Sequence, residues 1–81
     1  MIDAVQFKSW LRANTSYSDA VIGDTISRMK RADSLLEFTK EEVYIFHLEH
    51  RPEFKKLSSS VRSQIKKAVK LYLNFQNIST E

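Results

Sequence analysis

Arg62, Lys66 and Lys70 recur at four-residue spacing, with Lys67 one step round from them and Lys55 and Lys56 just upstream. On a helix this spacing lines cations along one edge, where like charges at i, i+4 cost roughly 0.2–0.5 kcal/mol per pair. No acid lies between Phe54 and Ile78 to neutralise them. The arrangement gains nothing locally, and the chemistry it offers is capture of a polyanion, because each phosphate neutralised releases condensed counterions. Serines at positions 58, 59 and 60 add hydroxyl donors and the free N–H groups of a helix start, both suited to phosphate oxygens. A second basic group, Arg28, Lys30 and Arg31, lies further upstream. If its helix neighbours the last one, the two groups merge into one face. The bland reading of the same residues is a solvated, soluble helix face.

Other chemistry is weaker. His47 and His50 stand at i, i+3 around Glu49, but a stable zinc site needs three or four ligands. No third ligand is evident on another helix, and His47 falls on an apolar stripe, so no metal site and no cofactor are assigned. A serine nucleophile needs a base and an orienting acid within reach; the serines cluster at helix starts, where capping accounts for them, so no catalytic residue is assigned. Tyr44 and Tyr72 fit helix faces as core residues and Tyr17 fits a turn. Trp10 extends an apolar stripe and reads as core rather than as a base-stacking platform. The last helix is basic and amphipathic like a membrane-surface helix, yet its apolar side is needed for the core.

Charge divides unevenly along the chain. Residues 1–53 hold seven Lys/Arg and nine Asp/Glu, a net of −2, whereas residues 54–81 hold six Lys/Arg and one acid, a net of +5. A summed potential of that sign steers nucleic acid or an anionic surface. The length, 81 residues, excludes a two-domain enzyme or a doubly wound cofactor fold. A composition 42% hydrophobic and 28% charged is that of a globular domain rather than a disordered one. The absence of cysteine removes disulfides and thiolate metal sites. No apolar run approaches the ~18–20 residues that span a bilayer. Asp3 and Lys8 interrupt the N-terminal run, unlike a signal peptide. The expectation is a soluble, cytoplasmic chain.

The elements that must position these cations read as helices, since one glycine and one proline argue against a turn-rich β protein. Ala4, Phe7, Trp10 and Leu11 predict a helix over about 3–13, broken by Asn14-Thr15-Ser16. Ser18 is the expected N-cap of a second helix over 18–37, with Asp19 in its first turn. Its stripe is Ile22, Ile26, Met29 and Leu36, flanked by Val21, Ala32 and Leu35, and it contains Gly23, either a point of close approach or a tolerated glycine. Thr39-Lys40-Glu41-Glu42 has the form of a capping box opening a helix over 40–50, with Val43, Phe46 and His47 on one face and Tyr44 and Leu48 close by. Pro52 ends it, and Phe54 and Leu57 pin the following loop. Ser58, Ser59 or Ser60 caps a last helix over 59–75, striped by Val61, Ile65, Ala68, Tyr72 and Phe75. Val69, Leu71 and Leu73 widen that stripe, and residues 76–81 are expected to fray. The fold class expected is all-α, a single domain forming a compact four-helix bundle.

Ser18 to Phe38, SDAVIGDTISRMKRADSLLEF, resembles the second helix of the core-binding domain of tyrosine recombinases, the phage-integrase family. Leu57 to Phe75, LSSSVRSQIKKAVKLYLNF, is similar to that domain's last helix, and FKSWL resembles its opening helix. The resemblance covers about residues 5–75. It implies a SAM-like bundle that forms half of a clamp around double-stranded DNA, with its second and last helices facing the major groove. Carried over by position, it implies DNA contacts at Ser18, Thr25, Arg28 and Arg31, and at Ser59, Ser60, Arg62, Ser63, Lys66, Lys67 and Lys70, to which Lys55 and Lys56 are added on charge; it also implies a bacterial or phage-encoded, nucleoid-associated protein. The recombinase chemistry needs a tyrosine nucleophile with arginine, lysine and histidine partners on a separate catalytic domain, and this chain lacks that domain. His47 and His50 read His-Leu-Glu-His rather than His-x-x-Arg. The implied role is DNA binding without strand cleavage, as an excised piece of an integrase or as a free-standing domain. The implied partners are duplex DNA, a catalytic domain and other protomers of a recombinase assembly; no membrane and no small-molecule substrate are expected. The alternative is a helical protein-interaction module, or a phage or mobile-element regulator, that binds no DNA and docks through Leu71 and Leu73.

Overall fold

The computed structural model describes residues 2–39 and 43–79. These form α1 (Ala4–Asn14), α2 (Asp19–Leu35), α3 (Tyr44–Glu49), α4 (Pro52–Lys55) and α5 (Ser59–Ser79), with no strand among the described residues. The all-α expectation holds, with five helices in place of four. The added element is a single turn at Pro52, whose fixed φ and missing N–H suit the first position of a helix. Arg51 before it is extended, at φ −70° and ψ 132°, as the clash with a following proline ring requires. Pro52 therefore stops α3, as expected, and also starts α4.

Side-chain caps set the other boundaries. Asp3 accepts from the Gln6 N–H at 3.0 Å and opens α1. Thr15 closes that helix by donating its hydroxyl to the Leu11 carbonyl at 2.6 Å. Ser18 caps α2, accepting from Val21 N–H, with Asp19 next to it favouring the positive end of the helix dipole. Of the three candidate serines, Ser58 caps α5 by accepting from Val61 N–H. In the third element, Lys40, Glu41 and Glu42 of the proposed capping box lie outside the described residues. The described helix starts at Tyr44, with Val43 as a cap that makes no side-chain hydrogen bond.

Two layers suffice for the molecule, whose Cα extents are 34 × 28 × 16 Å; packed helix axes lie about 8–10 Å apart. α5, 21 residues long, runs most of the long dimension at ~1.5 Å per residue. The expected fraying after Phe75 is not seen through Ser79, where α5 continues as helix. α2 packs against α5 more extensively than any other pair, and α1 lies against both.

At the centre stands Tyr72, its ring edge-on to Phe7 at 4.9 Å and to Phe38 at 4.8 Å, and 5.5 Å from Phe75. Such edge-to-face pairs contribute about 0.5–1.5 kcal/mol beyond the area they bury. Trp10 joins them through Phe75, although its indole N–H is buried without an acceptor. The buried face of α2 is Ile22, Thr25, Met29 and Ala32. It is turned from the predicted stripe, so that Thr25 is inside while Ile26 is half-buried and Val21 exposed. Gly23 is not a point of close approach: a Cβ added there meets nothing within 4 Å.

The face predicted for the third helix is also corrected. Tyr44 and Leu48 are its buried residues, while Val43, Phe46 and His47 point outward, Phe46 being 57% exposed. Tyr44 decides the rotation, because its hydroxyl donates to the Leu36 carbonyl at 2.6 Å in the loop after α2. Burial, with the nearby Asp33 carboxylate adding to it, pushes the Tyr44 phenol up to about 12. Asp33 accepts from Phe38 N–H at 2.9 Å, and Arg51 Nε donates to the Leu35 carbonyl at 3.1 Å. The first folds the loop after α2 back onto that helix, and the second ties the end of α2 to the residue that caps α4.

Candidate nucleic-acid interface

α2 and α5 are neighbours, as a merged basic face requires, but of the two basic groups only Arg28 meets a cation of α5, Lys67. These two line a groove of about 210 Å³ with Val21 of α2 and Gln64 and Leu71 of α5. Tyr17, in the turn before α2, closes one end, with the Lys67 ammonium 5.9 Å from its ring centroid, within reach of a weak cation–π attraction. Arg28 and Lys67 thus stand across one groove although 39 positions separate them in the chain.

The other flank of α5 faces α3 and α4. There a groove of about 620 Å³ is bounded by Ser59, Arg62, Ser63 and Lys66 on α5, by Phe54 and Lys55 on α4, and by Glu49 and His50 at the end of α3. The α5 residues follow i, i+3, i+4, i+7, which places them on one side of the helix. Lys66 is not without an acid, as the charge pattern predicted, because Glu49 Oε1 lies 3.0 Å from its Nζ. Arg62 is half-buried, and its Nε is buried without a hydrogen-bond acceptor. His50 Nδ1–H donates to the Phe46 carbonyl at 2.7 Å; a carbonyl can only accept, so the proton sits on Nδ1.

The structure thus gathers Ser59, Arg62, Ser63, Lys66 and Lys55 about one groove and Arg28 and Lys67 about the other. Arg31, Lys56, Ser60 and Lys70 are exposed and line neither. Lys70, four residues on from Lys66, continues the edge of Arg62 and Lys66 one turn further along α5. Ser18 is exposed, with its hydroxyl engaged in capping. Thr25 is a correction: it is 5% exposed and its hydroxyl donates to the Val21 carbonyl at 2.8 Å. It forms the floor of the α2–α5 groove and presents no hydroxyl to a surface ligand. Leu71 and Leu73, the docking residues of the alternative reading, are half-buried against the core.

Glu49, His50, Tyr17 and Gln64 belong to the site and were not singled out for it by the pattern of basic residues. No spacing in the sequence relates Glu49 to Lys66, because only the fold back through α4 brings them together. Among the described residues no three His, Cys, Asp or Glu side chains converge, and no helix is long and apolar enough to cross a membrane. No protein family, curated protein or solved structure matches the chain in comparison.

Proposed function

We propose that this chain is a duplex-DNA-binding module of the SAM-like, core-binding kind that its helices two and five resemble, and that it performs no catalysis by itself. The observation that carries the reading is the packing of α2 against α5, which puts Arg28 and Lys67 on one groove. With Arg62, Lys66 and Lys70 along the neighbouring edge, α5 carries cations on two sides. Lysines here position phosphates, and any reading of base edges falls to Arg28, Arg31 or Arg62, whose guanidinium forks suit guanine. Double-stranded DNA is the partner, and a recombinase catalytic domain or other protomers would act on what this module holds.

The test is a ¹⁵N amide titration with a short random duplex at low and then moderate salt. Shifts concentrated in residues 18–31 and 55–70 and reversed by salt are the expected result. An absence of shifts at low salt removes the reading. A second reading, docking on a protein through the outer face of α3, draws on the exposure of Val43 and Phe46. It predicts binding that survives salt and is lost on Phe46→Ser.

A further inference from the structure

We propose that the groove between α4 and α5 is a phosphate site with Arg62 as its principal ligand, and that Glu49 is the internal anion an incoming phosphate displaces. That the phosphate belongs to a DNA backbone rests on the reading above; the anion site itself does not. Three cations converge here, Lys55 from α4 and Arg62 and Lys66 from α5, against the single carboxylate of Glu49. Glu49 is engaged with Lys66 at 3.0 Å. One turn earlier on the same wall stands Arg62, whose Nε is enclosed by the protein without an acceptor, so a ligand in the groove meets the guanidinium at its outer nitrogens. With one carboxylate against three cations, the groove carries more positive charge than its own residues neutralise.

An oxyanion corrects that imbalance. A phosphate presents several acceptor oxygens, two of which match a guanidinium fork in a bidentate pair. Ser59 and Ser63, one turn apart on the same wall, add neutral donors. The volume of about 620 Å³ exceeds that of a lone oxyanion and leaves room for the sugar on either side of a phosphodiester. The Glu49–Lys66 pair is 36–40% exposed at its side chains, and pairs open to solvent are weak. A phosphate can therefore take Lys66 from Glu49, and the displaced carboxylate is rehydrated at the rim.

The arginine Nε–Hε resonances of the full chain report on this directly, with the Arg62 signal assigned by its loss in Arg62→Lys. Inorganic phosphate is added in one arm, chloride at matched ionic strength in a second, and a short duplex with unphosphorylated ends in a third. The expected result is a saturable shift of the Arg62 signal with phosphate and with duplex but not with chloride. Glu49→Gln, a surface change, should tighten phosphate binding about two- to fivefold by removing the competing carboxylate. A phosphate arm that behaves like chloride overturns the site, as does Glu49→Gln binding phosphate no more tightly. A duplex that shifts amides of α2 and α5 but leaves Arg62 Nε–Hε in place overturns the assignment of this site to the DNA backbone while the DNA reading stands. Saturable phosphate binding with no response to duplex supports the site and removes the DNA reading.

Discussion

The Tyr72 hydroxyl accepts a hydrogen bond from the Asp3 backbone N–H at 2.9 Å, linking the cap of the first helix to the last helix across 69 residues. The same oxygen accepts from Gln76 Nε2 at 2.9 Å, so both its lone pairs are used. Tyr72→Phe keeps the edge-to-face contacts with Phe7 and Phe38 but removes the oxygen that accepts from both donors. The expected cost is about 1 kcal/mol, read as a lower urea midpoint with an unchanged slope. Faster amide exchange should appear in the first turn of α1.

Alkaline stability depends on Tyr44. Its phenol is raised from 10.0 to about 12 in the folded state, chiefly by burial, so the native chain holds this proton more tightly than the unfolded one. The contribution is intact below pH 10 and is lost as pH rises through about 12. Chemical denaturation at pH 8, about 10 and about 11 should show stability falling across the last interval. In Tyr44→Phe that fall should be shallower, although the variant starts lower at pH 8 because the Leu36 carbonyl loses its donor.

Gly23 lies in the interior of α2, and a Cβ there meets open space. Gly23→Ala should therefore stabilise the chain by about 0.5–1 kcal/mol through lower backbone entropy in the unfolded state. The thermal midpoint should rise by several degrees; a fall would mean that the backbone at this position is not ordinary helix.

The lysines should differ in how they set the salt dependence of duplex binding. Lys67→Ala and Lys70→Ala should each reduce the slope of log K against log salt by about one. Lys66→Ala should reduce it by less, because Glu49 already neutralises that ammonium at 3.0 Å and must take up a cation when a phosphate displaces it. Lys30, two residues on from Arg28, stands about 200° round α2 from it, on the side away from the α2–α5 groove that Arg28 lines, and Lys30→Ala should leave the slope unchanged. Fluorescence anisotropy of a labelled duplex at four salt concentrations distinguishes these outcomes.

Helix identity and most helix ends were legible because they are local. Ser18 with Asp19, the Asn14-Thr15 break and Pro52 each act on a backbone a few residues away. Periodicity identified Val61, Ile65, Ala68, Tyr72 and Phe75 as the inner side of α5; Val61 is half-buried at its start and the other four are buried. Rotation of a short or weakly striped helix was not legible. In α3 apolar residues surround the axis, and the hydrogen bond from Tyr44 to Leu36 selects Tyr44 and Leu48 over Val43 and Phe46. On α2 the hydroxyl of Thr25 satisfies itself on the preceding turn, so a residue that reads as polar can be buried.

By itself, the sequence determined that this chain is helical, where three of its helices begin, and that its net positive charge lies in the last third. These follow from spacing, caps and charge counts, which need no knowledge of distant contacts. Only the tertiary structure decided how the cations are grouped. α5 is flanked by two grooves rather than backed by one flat face, so Arg28 meets Lys67 on one side while Arg62 and Lys66 meet Lys55 and Glu49 on the other. The charge that a lysine presents to a partner depends on which acid the fold brings within reach of it. For Lys66 that acid lies 17 residues earlier in the chain, on a helix whose orientation is fixed by the burial of Tyr44 and Leu48.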